Sequence, residues 1–453
     1  MARTHELDMT QGPIMKGIIR FSIPLIISSL LQLFYNAADL IVVSRFSGSN
    51  AMASVGATTT LNSLLVNVSI GLSIGAAVTV SRNFGSRNRE GLQRAVHTAM
   101  IIGLLAGILS AIIGVLFARP ILELLETPAD VLDGSVLYLT IVWGALPATM
   151  VYNFGAAVLR SVGDTKRPLY ILAVTGLINI LLNLVLVVVF HMGVAGVAIA
   201  TAVANILSAV CVVYALACSE GAFRLDFRKL RMSIKETKEI IRLGLPAGLQ
   251  SSVFALSNTV ILSAINSFGA DALKGHSAGS SIEGFVYVGM EAFHHAALTA
   301  IGQNYGAKNK ERVKRSFWAC IFGTSFVGIL LGGAVALFAR PLLSIYITDS
   351  PEAIELGRIR ILITSLPYFL CGIMNVLSGA VRGLGTSLPT AINSLLGACG
   401  FRIFWVTCIL PLNPNIGFLF LCWPISWIVV VILNTITYVK VRKRAFARMD
   451  EEE

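Results

Sequence analysis

The chain has 453 residues, 55% of them hydrophobic and 13% charged, with a mean hydropathy of +0.78 and a formal net charge of +11. A soluble globular domain carries about 25% charged residues, which excludes water as the main solvent and points to lipid. Seven scattered cysteines, mostly inside apolar runs and with no C-x-x-C pair, exclude a disulfide framework and a thiolate metal site.

The opening MARTHELDMTQGP is polar and has no short apolar run with a cleavage site, so no signal peptide is expected. A membrane helix needs about 20 mainly apolar residues. Runs of that kind predict helices at 17–43, 53–80, 95–117, 131–157, 169–190 and 193–217. A second set falls at 243–266, 277–302, 316–338, 358–381, 389–411 and 415–438. Turn residues join several of them, as in SGSN at 47–50 and PLNPN at 411–415.

Lys and Arg concentrate in cytoplasmic loops. The termini and the loops after helices 2, 4, 6, 8 and 10 hold 28 of the 35 basic residues. The alternate loops hold six: Arg45, Arg119, Lys274, Arg340, Arg358 and Arg360. Both termini are therefore expected in the cytoplasm, with a multi-pass protein in the plasma membrane. Charge spread over many loops argues against a nucleic-acid partner. Arg402 alone falls within a span, near the cytoplasmic end of helix 11, where snorkelling to the interface accounts for it.

Two stretches about 221 residues apart repeat each other. NFGSRNREGLQR at 83–94 matches NYGAKNKERVKR at 304–315, and LFARP recurs at 116–120 and 337–341. Pro24 aligns with Pro246, Phe46 with Phe268, and Arg160–Gly163 with Arg382–Gly385. Each repeat holds six spans, so both enter the membrane from the same side. The expected architecture is all-α and integral to the membrane, with twelve helices in two parallel-repeat lobes. Transporters built this way place the substrate site between the halves. The lobes are predicted at 1–218 and 243–453, with a cytoplasmic linker at 219–242 that includes a surface amphipathic helix. Gly85 and Gly306 are expected to form the turns of the repeated motif.

The first helix ending YNAADLIVVSRFSG, the N-[FY]-G-x-[RK]-N motif after helices 2 and 8, and RSVGDTKRP after helix 4 resemble the MATE (multidrug and toxic compound extrusion) family. The resemblance covers nearly all of the chain. It implies a V-shaped two-lobe fold and efflux of bulky, often cationic compounds driven by inward movement of protons or sodium ions. No cofactor, a small-molecule partner and a monomer are expected.

A carboxylate at the centre of a span costs about 2.5–3.5 kcal/mol even on lenient scales, so such groups are functional candidates. Apart from Asp133 near the start of helix 4, Asp39 is the only acid inside the apolar runs of the first half. Gln32, Tyr35, Asn36 and Asp39 fall at i, i+3, i+4 and i+7 on one face, and Pro24 is placed to kink the helix. A rival reading leaves Asp39 solvated at the outer rim beside Arg45. Helix 5 presents Asn179 and Asn183; helix 6 presents Thr201 and Asn205. The resemblance groups Asn179, Asn183 and Thr201 with the helix-1 aspartate, and with Asn36 of the same helix-1 face they make the expected cation-coupling set. Gln32, Tyr35, Asn153, Asn205, Asn258 and Tyr287 are the candidate substrate contacts.

In the second half Asn258 matches Asn36, but Ile261 stands where Asp39 would be. Helix 8 carries its own polar face of Glu283, Tyr287, Glu291 and His294, with His295 at its edge. Glu283, Glu291 and His294 form a possible second coupling site. The Glu291–His294–His295 spacing matches no recognised zinc motif, so no metal is assigned. No G-x-x-x-x-G-K-[ST] occurs, so direct ATP drive is not expected. The alternatives are a lipid-linked precursor flippase, whose cavity would carry several cations, and an intramembrane enzyme.

Overall fold

The computed structural model describes residues 6–46 and 48–451, and among these all regular structure is helical. The first six spans are α1 Ile14–Phe46, α2 Gly48–Gly85, α3 Arg89–Leu124, α4 Ala129–Gly144 with its second leg Leu146–Ser161, α5 Lys166–Val189 and α6 Gly193–Ala217. The other six are α7 Ile234–Asn266, α8 Ala270–Gly306, α9 Lys310–Leu337, α10 Pro351–Ser365 with its second leg Phe369–Gly383, α11 Leu388–Leu412 and α12 Ile416–Glu451.

Nine of these pass as spans on length and apolarity alone, while α4 and α10 pass as paired legs bent by 46° and 45°. α8, at 37 residues, has ample length, but its glutamates and histidines lower its hydropathy. With it the count reaches the twelve expected. α1 runs unbroken through Pro24.

Packing uses small residues, since lipid supplies no hydrophobic drive between helices. On α3, a methyl added at Gly107 would stand 2.5 Å from Pro147 Cα, and one at Gly114 would stand 2.8 Å from Trp143 Cε3. Leu105, Leu109, Ile112 and Leu116 of the same helix are exposed and supply its lipid face.

The chain forms two compact units. One holds Met1–Asp8 and Ile27–Gly248, the other Met9–Ile26 and Leu249–Glu453. The chain therefore changes unit inside α1 and inside α7, just past Pro24 and Pro246. These boundaries differ from those read in the sequence because the opening turns of each of these helices pack with the opposite repeat. In the first unit, a methyl at Gly75 would sit 2.0 Å from Ile240 O of α7, and one at Gly71 would sit 2.2 Å from Gly248 Cα. Such contact needs glycine.

The repeated motif is a turn between two helices. Its left-handed position is held by Arg87 (φ 55°) and Lys308 (φ 56°), not by Gly85 and Gly306 as the sequence suggested. Asn88 and Asn309 then cap the next helix, accepting from Gly91 N at 2.9 Å and Arg312 N at 3.0 Å. Each motif also anchors a strap. In the second unit, Arg312 donates to the carbonyls of Met9, Gln11 and Gly12 at 2.9–3.0 Å, and Gln303 accepts from Met9 N at 2.9 Å. In the first unit the linker docks on α3. Asp226 N donates to His97 Nε2 at 3.2 Å, Ser233 N to Thr98 Oγ1 at 3.1 Å, and Arg94 pairs with Glu236 at 3.3 Å. The helical part of the expected linker is one short turn at Phe227–Lys229 and the start of α7.

Candidate functional site

In the first unit, α1 lies against α5 because Gly176 leaves room for a ring. A methyl there would fall 1.9 Å from Tyr35 Cε2. Tyr35 OH donates to Ala173 O at 3.1 Å. One turn further along α1, half-buried Asp39 accepts from Asn183 Nδ2 at 2.5 Å, and the same amide donates to Asn179 Oδ1 at 3.3 Å. Asn179 and Asn183 are buried. Among the described residues no basic group lies within 4 Å of Asp39, so pairing with Arg45 does not occur.

Three buried side-chain oxygens in this unit have no hydrogen-bond partner among the described residues: Asn62 Oδ1 on α2, Asn183 Oδ1 on α5 and Thr201 Oγ1 on α6. The last two helices are joined by Ser208 Oγ donating to Thr175 Oγ1 at 2.8 Å. A carboxylate held by an amide whose own oxygen is unsatisfied offers oxygen donors to a hard cation or a proton. Directly after Asn183, α5 becomes π-helical over Leu184–Val189, a distortion that concentrates at functional sites. Asn36 and Gln32 are exposed and stay outside this network, while Asn153 and Asn205 are half-buried without partners among the described residues.

The helix-8 candidates of the second unit are divided. Glu283 is buried and paired with Arg360 at 2.8 Å. It also accepts from Ser365 Oγ at 3.0 Å and from Thr364 Oγ1. Glu291 accepts from Asn375 Nδ2 at 3.4 Å, and His294 Nδ1 donates to Asn375 O at 2.7 Å. Close approach at Gly379, where a methyl would meet His294 O at 2.6 Å, sets that pair of helices together. Tyr287 is exposed. Pro24 is buried within α1.

The arginines overturn part of the sequence reading. Arg402 is 3% exposed, with Nε donating to Ser426 Oγ at 3.0 Å and Nη1 to Asn258 Oδ1 at 3.4 Å. It does not snorkel. The charge pattern puts Arg360 with the loop residues at the edge of the 358–381 span, yet it lies in the first leg of α10 at 4% exposure. Arg382, a loop residue by the same pattern, is 5% exposed and donates to Gln250 Oε1 at 2.7 Å. Three buried arginines replace the single one read in the sequence, which removes the main argument for a cationic or neutral cargo. A signal for Arg360 existed in Ser-Pro-Glu at 350–352. Ser350 Oγ accepts from Ala353 N at 3.1 Å and Pro351 opens the helix, so that helix starts before both arginines.

A sequence profile of the MatE family matches residues 24–185 and again 246–406, one match per repeat. The chain is 27% identical over 391 residues to the probable multidrug resistance protein YoeA of Bacillus subtilis strain 168, covering 84% of each chain. It is 25% identical to the FAD transporter of Shewanella oneidensis, covering 85% of this chain and 86% of the relative. The solved outward-facing structure of a multidrug resistance MATE family transporter of the MOP superfamily superposes with a TM-score of 0.88 at 19% identity, covering 100% of both chains.

Proposed function

The chain belongs to the MatE family, and on that footing we propose that it is a secondary active antiporter exporting lipophilic small molecules in exchange for protons or sodium ions. Its relatives are transporters embedded in the membrane, not enzymes. The observation that carries the reading is the contact of Asp39 with Asn183, in a span and without a basic neighbour among the described residues. An ionised carboxylate there is costly, and a proton or sodium ion relieves that cost by binding it. The bound and empty states of Asp39 then differ in charge, as alternating access requires for coupling.

In this cycle the ionised state of Asp39 favours positively charged groups on the cargo. Ion entry from outside neutralises it, and α1 rearranges around Pro24. Relatives carry names as different as multidrug resistance protein and FAD transporter, so the cargo has to be argued from this chain's own residues. The flippase alternative gains some support from the buried arginines of the second unit.

Dye efflux from proteoliposomes, with sodium and pH gradients imposed separately, tests the coupling. Wild type should respond to one of the two gradients, and Asp39→Asn should lose at least tenfold of that response with folding intact. Undiminished gradient-driven efflux in Asp39→Asn would remove this residue from the mechanism.

A further inference from the structure

The second unit holds a positive charge that the coupling scheme does not use. Arg402 occupies a single α-helical turn, Phe401–Phe404, with π-helical stretches on both sides at Leu395–Gly400 and Trp405–Ile409. Such stretches break the regular backbone ladder and mark functional positions. The second of them matches, in the repeat, the π-helical segment that follows Asn183. Arg402 thus falls between the positions that match Asn179 and Asn183 in the repeat. At the position of Asp39 itself the second unit has Ile261, which is 1% exposed.

Two other helices of this unit flank the guanidinium. α7 supplies Asn258 and, one turn away, Phe254. α12 supplies Ser426 and Trp423. The guanidinium carbon lies 5.9 Å from the Phe254 ring and 5.8 Å from the Trp423 ring. Asn258 is exposed and the two aromatic rings are half-buried, so the group opens outward on that side. Among the described residues no carboxylate lies within 4 Å of Arg402. An arginine has five N–H donors, and the described residues take two of them.

Arg360 reaches the same indole, its guanidinium carbon 5.7 Å from the Trp423 ring. Its charge is committed to Glu283, yet its Nε and Nη1 are buried with no acceptor among the described residues. The two arginines and one glutamate around Trp423 leave one positive charge uncompensated. Aromatic faces offset only part of the cost of burying such a charge. The remaining donors call for an oxyanion, and the rings beside them suit an apolar or aromatic body.

We propose that Arg402, with Asn258 and Ser426, binds the oxyanion of the transported compound, so that the cargo includes organic anions bearing a carboxylate, sulfonate or phosphate on a lipophilic body. This deepens the efflux reading and rests on it, but the residues of this site do not include Asp39.

The test measures binding to the purified full-length protein in nanodiscs, with no gradient, so a failure of ion coupling leaves it untouched. Three probes share one body: a pyrene-alkyl sulfonate, the neutral alcohol and the trimethylammonium counterpart. Arg402→Gln should weaken sulfonate binding at least tenfold and change the other two less than twofold, with Arg402→Lys partly restoring it. Asn258→Ala, at an exposed position that tolerates truncation, should weaken the sulfonate severalfold. It keeps the test alive should Arg402→Gln fail to fold. Equal losses for all three probes would make Arg402 a packing residue and overturn the proposal. A lipid source of the same chemistry is separated by comparing phosphatidylcholine with phosphatidylglycerol discs. If the sulfonate fails to bind in phosphatidylcholine, and Arg402→Gln changes only retention of phosphatidylglycerol, the oxyanion is a headgroup and the cargo assignment falls.

Discussion

Glu283 and Arg360 are each about 5% exposed in their side chains and sit 2.8 Å apart. Removing one member of such a pair leaves the other as an uncompensated buried charge, at a cost of about 3–5 kcal/mol. Glu283→Gln should therefore lower the melting temperature markedly, and adding Arg360→Met should recover most of the loss, since an apolar pair of similar volume is often neutral. A coupling glutamate would behave the opposite way, keeping stability and losing transport. Thermal melting of the single and double variants beside their efflux rates separates the two roles. Asp39 was legible in the sequence because it is a lone acid in an apolar run. The pairing of Glu283 was not, because its partner lies 77 positions away in a segment whose charge resembled a loop.

Gly176 shows how one helix contact positions the ion site. Its missing side chain admits the Tyr35 ring and keeps Tyr35 OH on Ala173 O, which brings Asp39 one turn later onto Asn183. Gly176→Ala must displace the ring, losing that hydrogen bond at about 1 kcal/mol and loosening the Asp39 contact. Gradient-driven efflux should fall severalfold in Gly176→Ala and recover only in part in Gly176→Ala/Tyr35→Ala, where the new methyl meets no ring but the hydrogen bond to Ala173 O is still missing. A double variant no better than the single one would show that the spacing of α1 and α5 is set elsewhere. The twelve helices and the twofold repeat were readable from apolar runs and paired motifs, since both depend on local composition. The bends in α4 and α10 were not, because an apolar window reads the same through a break at Ala145 or Leu366–Tyr368. Nor were the π-helical turns around Arg402, which arise from packing and not from propensity.

For the whole molecule, the charge of the cargo decides how much work the membrane potential does. Exchange of one monovalent cation outward for one proton or sodium ion inward moves no net charge, so the potential contributes nothing. Export of a monovalent anion against the same ion moves two charges in the favourable direction. At about 2.3 kcal/mol per charge per 100 mV, that is about 4.6 kcal/mol, enough for roughly three decades of concentration difference at about 1.4 kcal/mol each. The arginine of the second unit and the carboxylate of the first thus predict different electrical behaviour for oppositely charged cargo. Proteoliposomes holding potassium diffusion potentials set with valinomycin, at equal pH and sodium on both sides, report it directly. A potential negative on the side from which cargo leaves should accelerate the pyrene-alkyl sulfonate and leave the trimethylammonium probe unchanged. Equal acceleration of both, or of the cation alone, would contradict one-for-one exchange at Asp39 together with anion capture at Arg402.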